Sequence, residues 1–261
     1  MILDAFGLRE RRYIYLIGGG GKTSLMFALA HALAAEGRSV LTTTSTRILY
    51  PEPAESEHVV IGPDAASLIE RLTGDFATRR HITAVAPDPA GGRKVGGLPI
   101  PVLDALVDAR IADYVLVEAD GAAGRSLKAH LEHEPVVSAR ADLVIAVIGV
   151  DCLGLPMDDA HVHRAALLRE RLGRPAGAAV MAADVAGIFF HRDGYLARIE
   201  KSAAVTIFVN KAGTPEAVVQ ARRLAETLRT RDRERRIAKI IVGDVKAGLF
   251  EAGLDGGDGA A

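Results

Sequence analysis

One stretch limits what this chain can become more than any other: Tyr13-Ile14-Tyr15-Leu16-Ile17-Gly18-Gly19-Gly20-Gly21-Lys22-Thr23-Ser24. A β-branched and aromatic run meets four glycines, then Lys-Thr-Ser, then an apolar-periodic segment. That order predicts strand, glycine loop and helix, the context a phosphate-binding loop requires. Glycines let backbone N–H groups turn inward as an anion-binding nest, and a helix opening near Lys22 adds the positive end of its dipole. On this reading Gly18, Gly19, Gly20, Gly21, Lys22, Thr23 and Ser24 hold the phosphates of a nucleotide, ATP or GTP. Thr23 or Ser24 offers a hydroxyl to Mg²⁺. The spacing departs from Walker A at one point, since Leu16 stands where the first glycine of that motif belongs. The stretch is therefore either a shortened phosphate loop beginning at Gly18 or a glycine turn before a helix.

The remaining pattern alternates strand and helix. Ser24 to Gly37 sets Leu25, Ala28, Leu29, Ala32 and Leu33 on one helical stripe, and Arg38 to Thr44 predicts a second strand. Asp64 to Leu72 predicts a helix capped by Asp64, His81 to Ala86 a strand, and Leu103 to Ile111 a helix. Asp88 to Pro101 is rich in Gly and Pro and predicts a loop. Tyr114 to Gly121 is an apolar strand ending in acids, and Asp142 to Val150 is continuously apolar, as a parallel strand covered on both faces should be. Helices are expected over 159–172, 176–189 and 214–231, with strands at 205–209 and 237–242. The sum is an α/β three-layer sandwich with a mainly parallel central sheet. Neither repeats nor a break in composition divides it, so residues 1–250 are expected to form one domain, with a disordered glycine-rich tail over 251–261. Ligands of such sheets bind beyond the carboxyl ends of the strands, and the chemically interesting residues fall there.

Glu118 and Asp120 close a strand of the Walker B type, where an acid holds Mg²⁺ and a neighbouring acid orients a nucleophile. Lys22, Glu118 and Asp120 are the catalytic candidates, and Thr23, Asp120 and Thr44 the candidate metal ligands. Thr44 lies in the hydroxyl-rich turn Thr42 to Arg47, which either completes a Mg²⁺ shell or caps the next segment, and Arg47 there is a candidate for substrate charge. Asn210-Lys211-Ala212-Gly213 resembles the Asn-Lys-x-Asp base-reading motif of GTP-binding proteins. Gly213 replaces its aspartate, so Asn210 and Lys211 are candidates for purine contact without guanine selectivity. Lys128, His130, His133 and Glu134 follow the acidic strand and are candidates for an anionic substrate or a metal. His161 and His163 lack the spacing of a zinc site.

Composition narrows the function further. A net charge of −1 gives no field to recruit nucleic acid or an anionic membrane, and the chain has no Trp for base stacking. Its single cysteine, Cys152, excludes an internal disulfide and reads as a small buried thiol. No apolar run approaches the ~18 residues of a membrane span and no signal-peptide pattern is present, so a soluble cytoplasmic protein is expected. A dinucleotide oxidoreductase is disfavoured because the second strand ends in Thr and the glycine spacing is wrong.

Several segments together resemble the YqeC family of selenium-dependent hydroxylase accessory proteins, which are P-loop NTPase-like. They are Gly18 to Thr23, Thr42-Thr43-Thr44, Val117-Glu118-Ala119-Asp120-Gly121-Ala122, Leu127-Lys128, His133-Glu134-Pro135, Gly149-Val150-Asp151 with Gly154, His163-Arg164 and Asn210-Lys211. The resemblance implies a P-loop NTPase-like sandwich and a nucleotide role at Gly18 to Thr23 and Asp120. It also implies a part in maturing molybdenum hydroxylases that carry a labile selenium centre. Two mechanisms stand open: an ATP- or GTP-hydrolysing accessory enzyme, or a non-hydrolysing, nucleotide-gated carrier or chaperone for a hydroxylase or its pterin cofactor. A homodimer that completes the site is compatible with either.

Overall fold

The computed structural model describes residues 2–255. From the amino end, α1 (Ile2–Phe6) leads into β1 (Tyr13–Gly18), α2 (Lys22–Ala35), β2 (Val40–Thr44), the short β3 (Ile48–Leu49) and β4 (Val59–Ile61). There follow α3 (Ala65–Asp75), β5 (His81–Val85), the short β6 (Lys94–Val95), α4 (Ile100–Asp108) and β7 (Tyr114–Glu118). The second half runs β8 (Leu127–Lys128), β9 (Leu143–Gly149), β10 (Val162–His163), α5 (Ala165–Leu172) and α6 (Ala182–Phe189). It ends with β11 (Ala204–Asn210), α7 (Pro215–Arg231), β12 (Ile237–Asp244) and β13 (Leu249–Asp255).

Nine strands form one sheet in the order β13-β12-β11-β9-β1-β7-β2-β5-β4. Every neighbouring pair is parallel except the last, β12 with β13. β1 lies between β7 and β9 and is buried at all six positions. Its pleat sends Ile14 and Leu16 into a core with α1 and α2, and Tyr13, Tyr15 and Ile17 into a core with α3 to α7. This is the expected α/β three-layer, P-loop NTPase-like sandwich. It sets the carboxyl ends of β1, β7, β9 and β11 side by side.

Local chemistry explains most boundaries. Asp64 caps α3 by accepting from the Ser67 amide, as expected. Pro101 sits inside the first turn of α4 rather than in the preceding loop, because a first-turn residue has no intrahelical use for its N–H. The pattern over 159–172 predicts one helix, but α5 starts only at Ala165. Asp158 draws the amides of Ala160 and His161 into a turn, and Val162–His163 pairs with Leu127–Lys128 instead. α6 likewise starts at Ala182 rather than Ala176, since Ala178 and Val180 are bonded to Met157 and Leu155. The tail expected from Glu251 is strand through Asp255, and the remainder of that expectation, 256–261, lies outside the described residues. Among the described residues no helix is long and apolar enough to cross a membrane.

α1 was not legible in the pattern, being five residues long, yet it is anchored. The Phe6 ring packs edge-on against Phe208 of β11 at 5.4 Å and against Phe250 of β13 at 5.9 Å. Phe6→Ala should lower the unfolding free energy by about 3 kcal/mol, the ordinary result of emptying a buried aromatic site. Urea denaturation checks it: the midpoint falls at unchanged slope, and a midpoint within error of wild type would contradict the docking.

Candidate functional site at the glycine loop

The glycine loop is built by close approach. Gly18, Gly20 and Gly21 hold φ of 93°, 79° and 124°, values that side chains resist. A Cβ at Gly18 would strike the Val147 carbonyl and the Tyr195 ring, and one at Gly19 would strike the Arg125 carbonyl. At Gly20 it would strike the Gly149 amide, and at Gly21 the Asn210 side chain. The first loop amides are already engaged: Gly18 donates to both oxygens of Asp120 at 3.0 and 2.9 Å, Gly19 to Val147 and Gly20 to Arg125. The donors left for an anion are those of the first turn of α2, Lys22 to Ser24, which have no intrahelical acceptor. Gly21, at the cap position, brings no side chain to cover them.

Beneath the loop, strand ends converge on Lys22. Its ammonium donates to the Gly18 carbonyl at 2.7 Å and lies 3.2 Å from Asp120 and 3.6 Å from Glu118. Thr23, next along the helix, donates its hydroxyl to Glu118 Oε2 at 2.7 Å. Asp120 is further enclosed by His130 Nε2 at 2.6 Å and Lys128 Nζ at 3.4 Å. Lys128 also reaches the Gly121 carbonyl and, at 3.0 Å, Glu134. Arg164 grips both oxygens of Glu134. Glu118, Asp120 and Glu134 are thus matched against Lys22, Lys128 and Arg164, one acid for each base.

Burial and neighbours set the protonation of this cluster. Desolvation opposes the Lys22 ammonium, but Asp120 and Glu118 outweigh it and raise its pKa. Desolvation raises Glu118 despite Lys22 and Thr23 beside it. Asp120 moves the other way: burial opposes its charge, yet Lys22, the His130 bond and Lys128 hold it well below the usual carboxylate range. Desolvation lowers the pKa of His130 against the pull of Asp120, and its buried Nδ1 has no hydrogen-bond partner among the described residues.

The candidates divide between this cluster and other duties. Lys22, Thr23, Glu118, Asp120, Lys128, His130 and Glu134 come together. Asn210 is a staple and points at no open space: it donates to the Gly20 carbonyl at 2.7 Å and accepts from the Val245 amide at 3.0 Å. Lys211, at φ 67°, bridges Ser126 and Asp151, each at 2.8 Å. The Thr44 hydroxyl lies 2.9 Å from the carbonyls of both Glu118 and Thr46, can give its one proton to either, and accepts from the Thr46 amide at 3.0 Å, which uses it as a turn lock. Arg47 pairs with Asp88 at 2.6 Å, and His133 is exposed and outside the cluster. His161 closes on Asp158, and no group of three acid, His or Cys side chains among the described residues is arranged for a metal. Cys152 is buried, and desolvation pushes its thiol up to about 12.

Three contributors escape motif reading. Tyr195 backs the loop at Gly18 and meets the His130 ring edge-on at 4.6 Å, but it lies in an irregular segment with no local signature. Arg171 fixes the His130 carbonyl from a helix whose other residues are ordinary. Ser126 is noticeable only through its place beside the acidic strand.

The mainly parallel sandwich, with a lysine- and acid-lined glycine loop at its carboxyl edge, gives the chain a P-loop NTPase-like fold. The model of the family described as YqeC protein matches residues 14–166. An Escherichia coli (strain K12) protein, named "Uncharacterized protein YqeC", is 31% identical over 249 residues, covering 94% of this chain and 92% of its own. The chain belongs to the YqeC family.

The Glu134 ion pairs make a pH dependence. Burial opposes its charge, but Arg164 and Lys128 bring its pKa down to about 2, against about 4.3 in an unfolded chain. A depressed carboxylate adds stability that is present above about pH 4.3 and is lost as pH falls towards the folded value. Glu134→Gln should therefore melt below wild type at neutral pH, and the gap should close as pH falls through roughly 4 to 2. Thermal melts across that range test it; parallel curves would remove the ion pair from the stability of the fold.

Proposed function

We propose that this chain binds a nucleoside triphosphate with Mg²⁺ at the glycine loop and hydrolyses it as an accessory protein in the maturation of selenium-dependent molybdenum hydroxylases. One observation carries the nucleotide half: Thr23 donates to Glu118 while Lys22 lies between Glu118 and Asp120, all at the uncapped start of a fourteen-residue helix. The residues fit the groups they would hold. Mg²⁺ prefers one or two protein oxygens and completes its shell with phosphate oxygens and water, and the Thr23 hydroxyl with Glu118 behind it is such a set. When bound, the ion would be held by Thr23 and Glu118 and would supply positive charge to offset that of the phosphates.

The chain's own groups would do the rest. The amides of Lys22, Thr23 and Ser24 receive phosphate oxygens, aided by the helix dipole. The Lys22 ammonium leaves the Gly18 carbonyl for the outer phosphate, and Asp120 stays charged through Lys128 and the Gly18 amide. The role in hydroxylase maturation rests on the family resemblance. Cys152, buried and hard to ionise, supplies no nucleophile for selenium, so that chemistry would belong to a partner: a hydroxylase or its pterin cofactor.

A specific observation also favours a second reading, the non-hydrolysing nucleotide-gated carrier or chaperone. Asp120 has both oxygens engaged, and Glu118 is committed to Thr23 and Lys22. Neither carboxylate is open to orient a water molecule, so turnover by the isolated chain should be slow.

Calorimetry with Mg²⁺ and a non-hydrolysable triphosphate tests binding. Lys22→Ala should weaken it by roughly a hundredfold, the worth of a charge-assisted contact. Because that variant strips Asp120 of a buried partner, Thr23→Ala serves beside it and should abolish the Mg²⁺ dependence in a folded protein. Unaltered affinity in both variants would sink the assignment. Turnover, with and without a hydroxylase, then separates the two mechanisms.

A further inference from the structure

The fourth position of Asn210-Lys211-Ala212-Gly213 has no acid, yet the space is occupied by one. A Cβ built on Gly213 would lie 2.8 Å from Oδ2 of Asp244, the last residue of β12. The parallel register sets Val209 beside Val242, which brings Lys211 level with Asp244 on the neighbouring strand. The Ala212 amide donates to the Gly243 carbonyl at 2.9 Å and fastens the two strand ends together.

Asp244 is also held in place relative to the phosphate side. Its Oδ1 accepts from the amides of Lys246 and Ala247 at 2.9 and 3.2 Å, which fixes the carboxylate in the turn before β13. Oδ2 has no hydrogen-bond partner among the described residues, and the residue is half-buried. The Asn210 staple joins that same turn, through Val245, to the Gly20 carbonyl. A carboxylate oxygen without a donor thus faces Gly213, in a turn that Val245 and Asn210 tie to the glycine loop.

We propose that Asp244 supplies from β12 the base-reading acid that Gly213 lacks, and that the nucleotide is therefore a guanine nucleotide. This rests on the triphosphate reading of the glycine loop. Guanine presents two adjacent donors, N1–H and the C2 amino group, and a carboxylate accepts from both. Adenine presents an unprotonated N1, whose lone pair faces the carboxylate unfavourably. The Lys211 stem, anchored at Ser126 and Asp151, offers an apolar surface for the ring. A side chain at Gly213 would push the Asp244 oxygen aside.

Binding of GTP, ATP and xanthosine triphosphate, each with Mg²⁺, to the full chain and to Asp244→Asn decides the matter. Wild type should prefer GTP to ATP by roughly ten- to hundredfold, the range of a charge-assisted hydrogen-bond pair. Asp244→Asn keeps the oxygen that accepts from Lys246 and Ala247, so the turn survives. It should lose GTP by a similar factor and gain xanthosine triphosphate, whose C2 carbonyl accepts from the new amide. Equal affinities for GTP and ATP, or an Asp244→Asn variant with wild-type preference, would overturn the inference and leave triphosphate binding standing. Absence of binding by every triphosphate would overturn both.

Discussion

The carboxylate of Asp120 holds this site together. It receives the Gly18 amide on both oxygens, Lys22 on one and His130 and Lys128 on the other, with no exposed side-chain surface. An isolated buried carboxylate is too expensive to persist. Here the strand end that creates the burial also brings the donors. The acid fastens β7 to the mouth of β1, fixes the direction of Lys22, and allows the glycine loop to turn without a ligand inside it.

That arrangement is electrostatically self-sufficient. Three acids meet three bases, and the loop amides not needed for the helix are spent on Val147, Arg125 and Asp120. A polyanion arriving at α2 would therefore compete with carboxylates already in place rather than fill an unscreened positive hole. Such competition favours discrimination between anions, because a ligand must offer better geometry than Asp120 and Glu118 do to draw Lys22 away. Arg164, at φ 61°, is held in the left-handed region while its guanidinium grips Glu134 of this network.

How far the sequence reveals this depends on whether the cause is local. The strands at Tyr13, Tyr114, Leu143 and Ala204 are legible because a parallel strand covered on both faces must be apolar throughout. The Asp64 cap, the glycine loop and the acids at Glu118 and Asp120 are legible because a few adjacent residues carry the whole signal. The helix starts near Asp159 and Ala176 are misjudged because tertiary pairing, of β10 with β8 and of Ala178 and Val180 with Met157 and Leu155, overrides propensity. Roles fare worse than positions. Asn210 and Thr44 are rightly placed near the loop, but only coordinates tell that their polar atoms are spent on backbone. Asp244 and Tyr195 carry no motif, since each matters through a neighbour far off in sequence.

The Asn210 staple has a consequence for the order in which the molecule comes into being. The glycine loop leaves the ribosome before the segments that support it: its strand is flanked by β7 and β9, and its Gly20 carbonyl waits for Asn210, which in turn waits for Val245. Phe6 likewise completes its packing only when Phe250 arrives. The loop is thus closed by residues far downstream of it in sequence, and a partly synthesised chain displays the motif without its supports. The loop reaches its final form only in the finished protein, in keeping with a fold dominated by contacts distant in sequence.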